Sequence, residues 1–381
     1  MANLLDYIDW RGDLTFAMSP FNEVDNLILA ELSFLDFEDI VPPVGGGAGV
    51  PLKKAAEDYF KLHPDREEDM GLIVPDRIPE LLEKAAGSLR FSGMVLSCFT
   101  DRLDEEQGLQ FAACTAELGD GSLYVAFRGT DDTIVGWKED FNMSFMDVVP
   151  AQREAVSYLR SVAAQHRRRK LRIGGHSKGG NLAVYSAVHC GAAIQRRILS
   201  VYNNDGPGFR TSMLQKAEHT RIADRITTIV PQSSVVGMIM EHEETFTLVK
   251  SDQKGILQHD GFSWEVMGTG FVHLTEDAPE RWRNDLTLKG WISGMSDEQR
   301  RRFTEGLFDI LSGADAKTLT ELTEDGFKTA AAMVKAMADM DKETRDVLLY
   351  AFRKLFLSKA QVIQEELIGK RRKKEKKEEK K

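Results

Sequence analysis

The sequence predicts an α/β fold built on a mostly parallel sheet flanked by helices, and three observations carry that expectation. Between residues 151 and 230, strand-like runs alternate with helical ones: a helix over 151–166, Leu171-Arg172-Ile173-Gly174, a helix over 180–190, Arg197-Ile198-Leu199-Ser200-Val201-Tyr202, a helix near 211–219, and Ile226-Thr227-Thr228-Ile229-Val230. Such alternation implies parallel strands covered on both faces. Ahead of it, Met94-Val95-Leu96-Ser97-Cys98-Phe99, Leu109-Gln110-Phe111-Ala112-Ala113-Cys114 and Leu123-Tyr124-Val125-Ala126-Phe127-Arg128 read as β-strands separated by polar turns. The third observation is the join between one strand and the helix after it, Gly175-His176-Ser177-Lys178-Gly179-Gly180-Asn181-Leu182-Ala183.

That join has the form of a nucleophile elbow. A Gly-x-Ser-x-Gly bend holds a serine in a strained strand-to-helix turn because the glycines carry no Cβ to strike the neighbouring strand and helix. The first amides of the helix then point at the region of the serine hydroxyl, where negative charge is favoured. The alternative is an ordinary Gly-rich turn whose serine caps the helix.

Around this centre the chain divides into four stretches. Residues 1–90 read as a helical segment packed on the core, with an amphipathic helix at Asn22 to Leu32, a break at Pro42-Pro43-Val44-Gly45-Gly46-Gly47, and short helices near 52–62 and 77–87. Residues 91–279 form the sheet domain. Residues 280–369 are helical only, with Ser296-Asp297-Glu298-Gln299 capping a helix that runs to Leu311. They suit a lid, a dimer contact or a partner surface equally. Residues 370–381 are a basic run without apolar residues, expected to be disordered.

Composition narrows the function classes. A chain of 381 residues with 42% hydrophobic residues can bury a substantial core. No stretch approaches the roughly 18–20 apolar residues that span a bilayer, and the acidic, interrupted start is unlike a signal peptide, so a cytoplasmic location is expected. Cys98, Cys114 and Cys190 lack CxxC spacing, which points to buried thiols and to no metal or cofactor. The net charge of −10, with a basic tail set against a still more acidic remainder, argues against nucleic-acid binding by the main body. Weak, transient contact of the tail with an anionic membrane surface or with RNA is the sharper alternative to a solvated tail. The sequence sets no oligomeric state.

A serine hydroxyl needs a base to take its proton. His63, His166 and His219 fall in polar helical segments and are expected at the surface, while His176 sits inside the elbow and His189 near the end of the next helix. His242 and His259 follow the strands, where a base belongs in Ser…Asp…His order. His259 is preferred, in the turn-like, aromatic-flanked Gly255-Ile256-Leu257-Gln258-His259-Asp260-Gly261-Phe262-Ser263-Trp264. The acid candidates are Asp205, Asp224, Glu241 and Asp252. Asp205 is preferred because Asn203-Asn204-Asp205-Gly206-Pro207-Gly208 sets it on a turn just past a strand, at the elbow's edge of the sheet; the alternative is a turn or capping aspartate. The oxyanion donors expected are the Lys178 N–H and, after the strand ending Phe127-Arg128-Gly129, the N–H and hydroxyl of Thr130. The Lys178 side chain either attracts an anionic substrate group or pairs with a nearby carboxylate.

Phe127-Arg128-Gly129-Thr130 with Trp137-Lys138-Glu139-Asp140, the elbow, Asn203-Asn204-Asp205-Gly206-Pro207-Gly208-Phe209, Val230-Pro231-Gln232-Ser233-Ser234-Val235-Val236-Gly237-Met238 and Gln258-His259-Asp260-Gly261-Phe262-Ser263-Trp264 resemble the class 3 lipases and, more closely, the bacterial Mbeg1-like family, over about residues 20 to 270. The resemblance implies an α/β-hydrolase fold, Ser177 as nucleophile, His259 as base, and Thr130 with Lys178 as oxyanion donors. It implies a serine hydrolase of lipase or esterase type acting on a small-molecule or lipid ester. One position departs: class 3 lipases place the acid two residues before the Val-Pro pair, where this chain has Thr228. That departure, with the large helical C-terminal region, motivates a second expectation, a catalytically inactive hydrolase fold acting as a binding or scaffold protein. Triad geometry and covalent labelling of Ser177 discriminate the two.

Overall fold

The computed structural model describes residues 1–64, 74–232, 246–274 and 296–312, with single positions 234, 236, 237, 240, 317, 318, 320, 321, 342 and 345. One compact unit comprises Met1–Thr304 with Lys317–Glu321, and a second comprises Glu305–Ala316 with Leu322–Lys381. The tail 370–381, and most of 280–369, lie outside the described residues. Of the second unit, the described part is the end of the helix Asp297–Ser312 and positions 342 and 345. That helix starts as expected: Ser296 Oγ accepts from Gln299 N at 3.2 Å, and Gln299 Oε1 accepts from Ser296 N at 2.8 Å.

The sheet of the first unit has eight strands in chain order: β1 (Val50–Pro51), β2 (Val95–Asp104), β3 (Leu109–Glu117), β4 (Leu123–Phe127), β5 (Leu171–His176), β6 (Ile198–Asn204), β7 (Ile226–Pro231) and β8 (Phe246–Val249). Pairings from β1 to β4 are antiparallel, and the four from β4 to β8 are parallel. The parallel half carries the elbow, and its carboxyl ends share one edge.

Strand β4 shows why the sheet needs cover on both sides. All five of its residues are buried. Leu123, Val125 and Phe127 join the apolar cluster with α6 (Pro150–Gln165) and α7 (Lys178–His189), while Tyr124 and Ala126 join the opposite cluster with α1 (Leu4–Arg11), α2 (Glu23–Leu32), α3 (Leu52–Leu62) and α4 (Ile78–Gly87). This period-2 division places the N-terminal helices on one face of the sheet and the crossover helices on the other.

Three elements differ from expectation. Helix α2 is not amphipathic in its environment, since every residue from Val24 to Leu32 is buried, the polar ones included. Two of its polar side chains are satisfied inside: Asp25 pairs with Arg90, and Asn26 Nδ2 donates to Asn204 Oδ1 at 2.8 Å. The helix near 211–219 divides into Thr211–Leu214 and Ala217–Thr220 because Lys216 takes extended backbone (φ −75°, ψ 140°). The helix α5 (Ile134–Asn142), unforeseen, is capped by Thr133, whose Oγ1 accepts from Gly136 N at 3.2 Å. Among the described residues no helix is long and apolar enough to cross a membrane, and the three cysteines are free and buried.

Candidate active site

Ser177 sits between β5 and α7 with φ 58° and ψ −132°, a conformation that side chains other than glycine adopt only under strain. Its side chain makes no capping hydrogen bond, so the simple capping role is set aside. Tight packing explains the glycines: a Cβ on Gly175 would collide with the Gly179 carbonyl, and one on Gly179 with the Phe127 carbonyl oxygen. Ser177 N donates to Asn204 O at 2.9 Å, which ties the elbow to the end of β6.

The residue after Asn204 is Asp205, buried and also at positive φ (50°). Its amide donates to Ile229 O at 2.8 Å, so β7 holds the bend. Its Oδ2 lies 2.7 Å from His259 Nδ1, while Oδ1 accepts from Ser234 Oγ and from Gly237 N at 3.2 Å. A carboxylate oxygen accepts, so Nδ1 carries the hydrogen of this bond and Nε2 is the ring nitrogen on the side away from Asp205. His259 ends the 3-10 turn Gly255–His259, which Trp264 pins by donating from Nε1 to Gln258 O at 2.8 Å. No hydrogen bond joins Ser177 Oγ to His259 among the described residues.

The other candidates fall elsewhere. Asp224 is exposed at the amino end of β7, the wrong edge of the sheet, and Asp252 is exposed beyond β8. Glu241 and His242 lie outside the described residues. Thr228 is buried in mid-strand, between Asn203 and Phe246. His219, expected at the surface, is fully buried.

The Thr130 loop abuts the elbow, since a Cβ on Gly129 would stand 3.2 Å from Ser177 Cβ. The Thr130 hydroxyl, however, donates to Asp140 Oδ2 and is not free to face the serine, which corrects the expectation for that group. Its amide donates to no protein acceptor among the described residues, nor does that of Lys178 in the first turn of α7. The Lys178 side chain is fully buried, donating to Gln110 O at 2.9 Å, to the Gln110 side-chain oxygen and to Glu139 Oε2 at 3.1 Å. It pairs with a carboxylate. The Asp140 carboxyl is covered, and burial, only partly offset by Lys178, pushes it up to about 6.

Three residues here make contacts that the sequence did not indicate. Ser234 and Gly237 reach Asp205 from a loop, and His176, inside the elbow, brings Nε2 to 2.8 Å from the His259 carbonyl oxygen. Among the described residues no group of three or more His, Cys, Asp or Glu could hold a metal ion.

The Mbeg1-like family model matches residues 85–309, a span that contains Thr130, Ser177, Asp205 and His259. The chain belongs to the Mbeg1-like family. No curated protein matches the sequence. Among solved structures, this Mbeg1-like chain is similar to the Rhizomucor miehei lipase propeptide complex at 16% identity, covering 45% of this chain and 70% of that one, with a TM-score of 0.34. It is also similar to a triacylglycerol lipase described as having a serine protease triad, at 14% identity, covering 59% and 77%, with a TM-score of 0.35. A mutant of MDLA from Penicillium cyclopium aligns at 13% identity over 66% and 84%, with a TM-score of 0.36. The α/β-hydrolase architecture of the Mbeg1-like chain is read from its own strand order and elbow.

Proposed function

We propose that this protein is a serine hydrolase that cleaves a carboxylic ester through an acyl-Ser177 intermediate. The observation that carries the reading is the 2.7 Å bond between Asp205 Oδ2 and His259 Nδ1, beside a serine held at φ 58° in the elbow. His259 Nε2 takes the Ser177 hydroxyl proton as Oγ attacks the ester carbonyl, and the resulting imidazolium is stabilised by Asp205. The oxyanion accepts from the Lys178 and Thr130 amides, and loss of one such donor typically costs about 3 kcal/mol of transition-state stabilisation. The imidazolium then returns its proton to the leaving alkoxide. Water, deprotonated by His259, attacks the acyl-enzyme and frees the acid and Ser177. The motif resemblance to class 3 lipases favours the acyl ester of a lipid.

On this reading the hydrogen bond between Ser177 Oγ and His259 Nε2 forms on substrate binding, as catalytic hydrogen bonds tighten in the Michaelis complex. A fluorophosphonate probe tests the reading. Covalent labelling of the folded protein, abolished in Ser177→Ala, is expected, with hydrolysis of p-nitrophenyl esters across a chain-length series. A folded protein that resists labelling, or a Ser177→Ala variant labelled equally, sinks the hydrolase and favours the scaffold.

A further inference from the structure

Helix α2 carries a carboxyl into the core with no counter-charge bonded to it. Glu31 is fully buried, and neither of its oxygens has a hydrogen-bond partner among the described residues. Its Oε1 lies 3.3 Å from His176 Nδ1. On its other side, His176 brings Nε2 to 2.8 Å from the His259 carbonyl oxygen and stacks its ring on that of His259, with centroids 4.5 Å apart and planes inclined by 30°. The edges of Phe34 and Trp264 enclose the His176 ring.

The proton inventory follows from the partners. A carbonyl oxygen only accepts, so His176 Nε2 carries a hydrogen. Burial, followed by the nearby His259, holds the His176 imidazole well below its ordinary range, which leaves one proton on the ring and makes Nδ1 a bare acceptor. Burial, followed by the Asp260 charge, pushes the Glu31 carboxyl well above its ordinary range, so it keeps its proton. A carboxylic acid thus faces an imidazole lone pair, donor to acceptor. Among the described residues, Asp260 is the charged group that acts on the Glu31 carboxyl, Arg77 acts on Asp260 in turn, and Asp205 lies beyond His259.

We propose that Glu31 and His176 are positioning residues for His259, a neutral couple that fixes the base from behind while Asp205 fixes it at Nδ1. The inference rests on the reading of His259 as the base. One hydrogen bond to Asp205 leaves the imidazole free to pivot about the Nδ1 to Oδ2 line. The stacked His176 ring blocks that pivot on one face, and the bond to the His259 carbonyl holds the turn that carries it.

Nuclear magnetic resonance of isotope-labelled histidine ring nitrogens in the full chain, from about pH 5.5 to about pH 8, reads the couple directly. His176 is expected to stay neutral with its hydrogen on Nε2, in the wild type and in Glu31→Gln, whose amide donates as the acid does. Glu31→Leu removes that donor and is expected to shift the His176 Nδ1 resonance while the hydrogen stays on Nε2, held by the His259 carbonyl. With p-nitrophenyl butyrate, Glu31→Leu and His176→Phe are expected to lower kcat about tenfold with KM within about twofold, while Glu31→Gln stays within about twofold of wild type. His176→Phe keeps the stacked ring and loses the donor, so it serves if Glu31→Leu does not fold. A protonated His176 in this range, Glu31→Gln as damaging as Glu31→Leu, or full activity in His176→Phe overturns the inference. A wild-type chain with the expected tautomer that resists fluorophosphonate overturns instead the hydrolase reading, and with it the couple's service to a base.

Discussion

Asp205 Oδ2 meets His259 Nδ1 at 2.7 Å across 54 residues of chain, and the two oxygens of that carboxyl divide their work. Oδ2 goes to the imidazole, and Oδ1 is held by Ser234 Oγ and the Gly237 amide. With one oxygen clamped by two donors, the other cannot swing away from His259. In the proposed triad the acid comes from Asp205, just after β6 and one strand before the Thr228 position, with the end of β7 as its support.

Asp205→Asn tests that assignment. An amide can offer N–H to Nδ1, which drives the hydrogen to Nε2 and leaves no lone pair for the serine proton. Ester turnover at neutral pH is expected to fall by roughly 10³ to 10⁴ with the fold intact. Turnover within tenfold of wild type would remove Asp205 from the triad.

Gly237→Ala reaches the same carboxylate from its other side. The added Cβ would collide with Asp205 Oδ1 and stand 2.8 Å from Val230 Cγ1 and 3.0 Å from Ser234 Oγ. Asp205 has to move, and His259 with it. A loss of about 10- to 100-fold in kcat is expected, from displacement alone. An alanine variant as active as wild type in a p-nitrophenyl ester assay would show that the clamp on Oδ1 is dispensable.

What the sequence revealed depended on how locally each feature is encoded. Strands such as Leu123–Phe127 declare themselves because burial on both faces demands an unbroken apolar run. The elbow is a five-residue matter, and Asp205 stands on a Gly/Pro turn just past a strand, so both are readable within a short window. Helix α2 misleads for the opposite reason. Its polar Asp25, Asn26 and Glu31 read as solvent-facing residues, yet their neighbours are Arg90, 65 residues away, Asn204, 178 away, and His176 in the elbow. No periodicity encodes such pairings. Thr130 was legible as a neighbour of the elbow but not as a donor to Asp140, because the return of α5 onto the loop is a tertiary event.

The ion pair between Lys178 and Glu139 belongs to stability. Both side chains are fully buried, with Nζ 3.1 Å from Oε2, and Glu139 also accepts from Ala151 N at 2.8 Å. Lys178→Met leaves a carboxylate buried without its cation, expected to cost about 3–5 kcal/mol in urea unfolding. Adding Glu139→Gln removes the stranded charge and is expected to recover most of the loss. Equal destabilisation in the single and double variants would contradict the pairing.

Asp140 supplies a pH dependence of known sign. Its carboxyl is raised from an ordinary 3.8 to about 6, first by burial. Between those values the folded chain binds a proton that the unfolded chain has released, so stability falls as pH rises. The contribution is complete below about pH 3.8 and is lost as pH passes through about 6, amounting to about 3 kcal/mol. Asp140→Asn keeps an acceptor for the Thr130 hydroxyl and has no proton to release. Denaturant unfolding of the two proteins is therefore expected to favour wild type at acidic pH, relative to the variant, and to lose that advantage by about pH 7. Stability curves that run parallel across this range would mean that the Asp140 carboxyl titrates alike in the folded and unfolded chains.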